Sequence, residues 1–161
     1  MASEKLLNAL NDQFNFELLS GYYYMAMASY CSAENMNGFS HFLHEQSKEE
    51  YEHAMKLYEF INDIDGRVKM QAISEPKNDY NSFLEVFEEA LSHEQLVTSK
   101  INNLLNLATE EKHYPTIQFL QWFVEEQVEE EASMKDIIFK LKGIDGKFTG
   151  LYLLDKELGK R

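Results

Sequence analysis

Four long segments of this chain carry apolar residues at alternating spacings of three and four, the period of packed helices, and each pattern is broken near its midpoint by ionisable or amide side chains. The first segment runs from about Ser3, a residue type that caps helices, to about Asn35, with the stripe Leu7, Leu10, Phe14, Glu17, Gly21, Tyr24, Ala28, Cys31. The second, from about Phe39 to Asp65, reads Leu43, Gln46, Glu50, His53, Leu57, Phe60, Ile64. The third, from about Ser82 to Glu110, reads Leu84, Phe87, Leu91, Glu94, Thr98, Ile101, Leu105, Ala108. The fourth starts at Pro115, well suited to a first helical turn, and reads Thr116, Leu120, Phe123, Gln127, Glu130, Met134, Ile137, Leu141. Helices packed at similar heights bring those interruptions to one level of a shared core.

The connections predict an all-α four-helix bundle. The linkers around Glu34–Gly38 and Glu111–Tyr114 are short and join antiparallel neighbours. The middle linker, Gly66–Asn81, can stretch about 50 Å at ~3.3 Å per residue. A helix of some 27 residues is only about 40 Å long, so this linker can cross the bundle and make the second and third helices parallel. After the turn Gly143–Gly146 comes a short fifth element with Phe148, Leu151, Tyr152, Leu154 and Leu158 apolar. A four-helix bundle has no obvious room for it, which predicts packing against other subunits.

Glu17, Glu50, Glu94 and Glu130 together would put about four negative charges in one apolar layer, and an unpaired buried charge costs several kcal/mol even after relaxation. None of the fifteen Lys and Arg residues falls on a stripe, so the chain offers no counterion there. Either the carboxylates are protonated or a cation is the missing partner. Two divalent ions would balance four carboxylates. Glu50 and His53 stand at i and i+3 on one face, where a carboxylate can bridge two ions while the imidazole ligates one. Oxygen ligands with a single imidazole suit iron or manganese and would also accept zinc. Tyr24, two turns after Glu17, lies within reach as a phenol able to hydrogen-bond or donate an electron. A lone Glu on a stripe is more often a helix-edge residue with its head in water, but four coincident interruptions plus a correctly spaced His disfavour that explanation. His41, His44, His93 and His113 lie off the stripes and read as surface residues.

A second acidic layer lies beside the first. Glu49 precedes Glu50, while Glu126 and Glu129 precede Gln127 and Glu130; one residue is about 100° of helical rotation, so all three point to a common flank. The run VEEQVEEE alone would read as a solvated face.

Composition bounds the rest. The 161 residues suit one domain, 1–161, and acidic residues outnumber basic ones by 28 to 15, which argues against nucleic-acid backbone binding and suits attraction of cations. The N-terminus lacks the apolar run of a signal peptide, and the least charged stretch, Leu18–Ala33, is too short and too rich in Tyr and Ser for a membrane span. The single Cys31 fits a reducing compartment, so a cytoplasmic protein without membrane partners is expected.

The pattern resembles the ferritins, specifically the non-haem bacterial type. Ferritin-like di-iron bundles take a Glu from each of two helices and Glu-x-x-His from each of the others. Glu17 and Glu94 match the single carboxylates, and Glu50-Tyr51-Glu52-His53 the first pair. The second reads Gln127-Val128-Glu129-Glu130, with Gln and Glu in place of Glu and His, which is similar to ferritin rather than bacterioferritin; Tyr51 stands where the latter has its haem-binding Met. The resemblance covers nearly the whole chain. It implies a ferritin-like domain with a bundle at about 3–142, a long crossover, and a short C-terminal helix at about 148–159.

By this resemblance Glu17, Glu50 and His53 hold one iron, and Glu50, Glu94 and Glu130 the other, with Gln127 beside them and Tyr24 the tyrosine of the ferroxidase centre. Glu49, Glu126 and Glu129, with Glu130 shared, form a third iron site, and no haem is expected. The implied function is iron storage: Fe(II) oxidation with O2 or H2O2, and ferric mineral held in a homo-oligomeric shell of 24 subunits with the fifth helix at its four-fold axes. Rubrerythrin-like oxidases usually add a CxxC-bearing iron module, which one cysteine disfavours. Mini-ferritins build their site between subunits and usually lack the fifth helix; the alternative of another class is a metal-free helical adaptor that uses its acidic surface to bind a basic partner, which aerobic Fe(II) addition followed by size-exclusion chromatography separates.

Overall fold

Local chemistry caps three of the five helices of the computed structural model, which describes Met1–Arg161 as α1 (Glu4–Ala33), α2 (Asn37–Asp63), α3 (Phe83–Glu110), α4 (Tyr114–Ile144) and α5 (Phe148–Leu158). Ser3 Oγ accepts the Leu6 N–H at 3.0 Å, and Ser82 Oγ accepts the Glu85 N–H at 3.0 Å, each satisfying an amide that the first helical turn leaves unpaired. His113 Nδ1 accepts from Thr116 N–H at 3.4 Å, with Pro115 in the first turn of α4. Asn35, Asp65, Lys112 and Asp145 end the four long helices at φ of 59°, 63°, 55° and 52°, the left-handed conformation that breaks the hydrogen-bond ladder.

Ring stacking fixes the helix directions. Phe60, late in α2, stacks on Phe119, early in α4, with centroids 4.0 Å apart. Phe39 and Phe83, at the starts of α2 and α3, stack at 4.9 Å, so these helices run parallel, as the linker length predicts. The crossover lies along α1. Asn11 and Asn15 hold its first part: Asn11 Oδ1 accepts the Lys69 N–H at 2.7 Å, Asn15 Oδ1 accepts the Gln71 N–H at 2.9 Å, and both amides donate to the Lys69 carbonyl. Its last part reaches the other end of α1, where Tyr80 packs on Tyr30 at 5.4 Å. No helix is long and apolar enough to cross a membrane.

The bundle has two apolar cores. One gathers twelve buried residues, including Leu6, Leu10, Leu57, Ile101 and Leu120. The other gathers seventeen, including Tyr24, Leu43, Phe87, Met134 and Leu154. Between them lie the interruptions of the stripes. All eight stripe positions of α4 are buried, but the other helices need corrections. Leu6 is buried where Leu7 was expected, Ile61 where Phe60 and Ile64 were, and Val86, Ala90, Val97 and Leu104 displace Leu84, Leu91 and Leu105, which are half-buried.

The four-helix bundle does have room for the fifth helix, contrary to the reading of its stripes. This helix packs on α2 and α4 of its own chain, with Leu154 and Leu158 inside the second core. Met36 has no side chain able to cap α2, and Asp155 of α5 does so instead, its carboxylate accepting the Phe39 N–H at 2.9 Å. The contact is so close that a Cβ on Gly38 would lie 1.7 Å from the Asp155 carbonyl oxygen. Only the outer face of α5, with Phe148, Tyr152 and Leu153, is exposed and open to other subunits.

Candidate metal centre

Burial of Glu17, Glu50, His53, Glu94, Gln127 and Glu130 at one level follows from the helices that carry them, since each lies on a stripe between apolar residues that belong to the two cores. Gly21, one turn after Glu17, lets α1 and α2 approach: its Cβ would meet the Ser47 carbonyl at 3.2 Å, and Ser47 Oγ donates to the Gly21 carbonyl at 2.7 Å. The approach places Glu17 against Glu50.

Three groups of ligand atoms close to within 4.8 Å: Glu17, Glu50 and His53; Glu50, Glu94 and Glu130; and His53, Glu126 and Glu130. Glu50 belongs to the first two groups and His53 Nδ1 lies 3.3 Å from its Oε2. Amides and a phenol hold the carboxylates in place. Gln13 donates to Glu17 at 3.0 Å, and Gln46 Nε2 donates to Glu50 at 3.0 Å and to Glu130 at 2.7 Å. Gln127 Nε2 donates to the Glu94 carboxylate at 3.1 Å, and the Tyr24 hydroxyl donates to its other oxygen at 2.5 Å. Tyr24 therefore contacts α3 rather than the Glu17 of its own helix.

The electrostatics of the layer are those of a site short of cations. Burial, then the Glu50 charge, pushes Glu17 well above the ordinary carboxylate range. Burial and Glu50 push Glu94 to about 8, and burial and Glu94 push Glu130 to about 9. Burial, the largest single influence, would raise Glu50 too, but the hydrogen bonds from His53, Glu17 and Gln46 and the His53 charge together outweigh it and hold Glu50 low. His53 is raised in turn: burial, the largest single influence, disfavours its charge, but Glu50, Glu126 and Glu49 together favour it more. No N–H or hydroxyl donor of the chain reaches the buried Glu17 Oε2; in the metal-free protein Glu17 shares a proton with Glu50, a place that a cation would take over. Oxygen donors with one imidazole fit a hard or borderline divalent ion.

These shifts set a pH dependence. An acid whose folded pKa is raised binds more protons folded than unfolded between the two values, so its contribution to stability falls as pH rises through that window. From pH 6.5 to 9, Glu17, Glu94, Glu130 and His53 all act in this direction, while Glu50 is already ionised. The metal-free protein is expected to melt several degrees lower at pH 9 than at pH 6.5. A saturating divalent ion should abolish most of the difference, with protons released on binding near pH 7. Differential scanning calorimetry at the two pH values checks both.

The acidic flank is less complete than the helical rotation suggests. Glu126 Oε1 lies 3.9 Å from His53 Nε2, but Glu129 is exposed and Glu49 joins no ligand group. Glu49 Oε2 instead takes the Arg161 guanidinium at 2.8 Å. The chain does supply a cation near the layer, from beyond its last helix. His93 is a further correction: it is buried, with Nε2 2.7 Å from Ser20 Oγ and its ring stacked on Phe16 at 5.2 Å. Burial holds it below the ordinary histidine range, hence neutral. Gln46 stands on its stripe, yet only the fold reveals that it bridges two carboxylates, and nothing in the pattern of apolar residues points to Arg161.

Comparison with known proteins agrees with this architecture. A ferritin-like domain model matches residues 7–144. The bacterial non-heme ferritin of Staphylococcus aureus is 47% identical over 161 residues, covering 100% of this chain and 97% of that protein. The corresponding protein of Staphylococcus saprophyticus is 44% identical, covering 100% and 96%. Among solved structures, an open pore ferritin from the hyperthermophilic archaeon Archaeoglobus fulgidus superposes with a TM-score of 0.99 at 45% identity, covering 100% of this chain and 99% of the other. Five helices with a long crossover, a buried Glu/His layer at mid-height and identity across the whole length all lead to one assignment: the chain belongs to the ferritin family and is of the non-haem bacterial type.

Proposed function

We propose that this chain oxidises Fe(II) with O2 or H2O2 at the buried layer, and that the ferric product is stored as mineral inside a homo-oligomeric shell of 24 copies in the cytoplasm. The observation that carries the reading is the sharing of Glu50 between two groups of ligand atoms. Glu17, Glu50 and His53 hold one ion, and Glu50, Glu94 and Glu130 the second, with Glu50 between them. Glu126, Glu129 and Glu49, with Glu130 shared, receive a third.

The residues have separable duties. Three carboxylates that burial keeps protonated give up their protons as ions arrive, so charge is exchanged rather than added to the low-dielectric layer. Gln46 and Gln127 keep Glu50, Glu130 and Glu94 aimed inward. Two Fe(II) ions each lose one electron, and O2 takes two electrons and two protons to become H2O2. With H2O2 as oxidant, the same two electrons and two protons give two water molecules. Tyr24, hydrogen-bonded to Glu94, stands where a phenol can supply a further electron. The exposed outer face of α5 supports contact between subunits.

Aerobic addition of a large excess of Fe(II) to the purified protein tests this, followed by size-exclusion chromatography. Iron is expected to remain soluble and to elute with protein as a particle far larger than the 18.9 kDa chain. Iron that precipitates at the rate of a protein-free control would refute it.

A further inference from the structure

Arg161 has a built position. Two residues beyond Gly159 its guanidinium donates to the Phe42 carbonyl at 3.0 Å and to Gln46 Oε1 at 2.9 Å, pairs with Glu49 Oε2 at 2.8 Å, and lies 4.4 Å over the Phe42 ring. His41 Nε2 is 2.8 Å from the Arg161 main-chain oxygen. The segment leading to it is fixed by Asp155 on the Phe39 N–H and by the close approach of Gly159 to α2, where a Cβ added to Gly159 would lie 3.4 Å from the Gly38 Cα.

Two consequences follow from donor and acceptor chemistry. A guanidinium only donates, so Gln46 must turn its carbonyl outward to Arg161 and its NH2 inward, where it serves Glu50 and Glu130. And an ion ligated by Glu49 would bring two positive charges against a guanidinium already seated on that carboxylate. We infer that Arg161 is a tethered cation that occupies the Glu49 flank, so that the third ion binds only by displacing it, after the two inner ions. This makes Arg161 a residue that sets the order of filling, and it rests on the third-ion reading proposed above.

The pair is partly open to water, with 23% of the Arg161 side chain and 40% of the Glu49 side chain exposed, so its effect is moderate. Anaerobic Fe(II) titration by calorimetry, on the full assembled protein and its Arg161→Gln and Arg161→Lys variants, tests the inference. Arg161→Gln should tighten the third ion about fivefold, equivalent to about 1 kcal/mol at 1.4 kcal/mol per factor of ten. The two inner ions should stay within about twofold, because the two carboxylate acceptors, Glu50 and Glu130, keep the Gln46 NH2 turned inward without Arg161. Arg161→Lys, which keeps the charge, should restore the third ion to within about twofold of the parent. A purely structural role for Arg161 would not separate the two variants, and melting curves should match because Asp155, Leu154 and Leu158 still dock α5. A third ion that appears only in Arg161→Gln also supports the inference. Three ions with equal third affinity in all proteins, or a third ion weakened in Arg161→Gln, overturn it alone. Two ions in all three proteins at every concentration overturn it together with the third site.

Discussion

Glu50→Ala is expected to abolish rapid Fe(II) oxidation, lowering the initial rate by at least about a hundredfold toward the uncatalysed background. Glu50 is the only carboxylate common to both of the first two ligand groups, so its loss removes a donor from each ion at once. The fold should survive. The substitution deletes the one layer carboxylate held ionised in the metal-free protein, and it leaves the two apolar cores on either side untouched. Stopped-flow absorbance after mixing with aerobic Fe(II), alongside circular dichroism, checks both statements. An oxidation rate within threefold of the parent would show that the iron pair does not depend on Glu50.

Gly38→Ala should be the most damaging single change outside the layer. In a helix interior this substitution usually stabilises by roughly 0.5–1 kcal/mol because glycine has more freedom to lose. Here the new Cβ would fall 1.7 Å from the Asp155 carbonyl oxygen, a backbone atom that cannot turn aside. Either α2 or α5 must move. Undocking α5 exposes Leu154 and Leu158, each worth roughly 1.5–3 kcal/mol on full burial, and uncaps α2. A net loss of about 3–5 kcal/mol is expected, read as a lower unfolding midpoint in urea. A variant as stable as the parent would mean that the tight contact between α2 and α5 is not maintained in solution.

Both changes act on features that were legible to different degrees in the amino-acid sequence. The layer was visible because a glutamate among leucines at helical spacing is conspicuous, and because α4 carries a single column of large apolar residues. In α3 the period is ambiguous: Leu104 and Leu105 are both apolar, as are Leu96 and Val97, and small buried residues such as Ala90 carry little signal. Packing chose Leu104, Val97 and Ala90. His93 looked like a surface residue by its neighbours along the stripe, but Phe16, Tyr23 and Ser20 enclose it from α1. The contacts of α5 and Arg161 with α2 join residues more than a hundred positions apart, and periodicity within one helix holds no information about them. Asn11 and Asn15 were hidden for the same reason, since their partners are main-chain atoms of the crossover.

The division of the interior into two cores also bears on how such a chain persists through evolution. Leucines or methionines at the four glutamate positions would join the cores into one continuous column, and replacing buried charges by apolar side chains of similar volume is often neutral or stabilising by roughly 1–4 kcal/mol. Selection for folding alone would accept that replacement readily, and a few substitutions would accomplish it. A lineage that no longer needed iron chemistry would thus drift toward a tighter, inert bundle. The acidic layer in this chain is therefore a trait held in place against the drift of its own core.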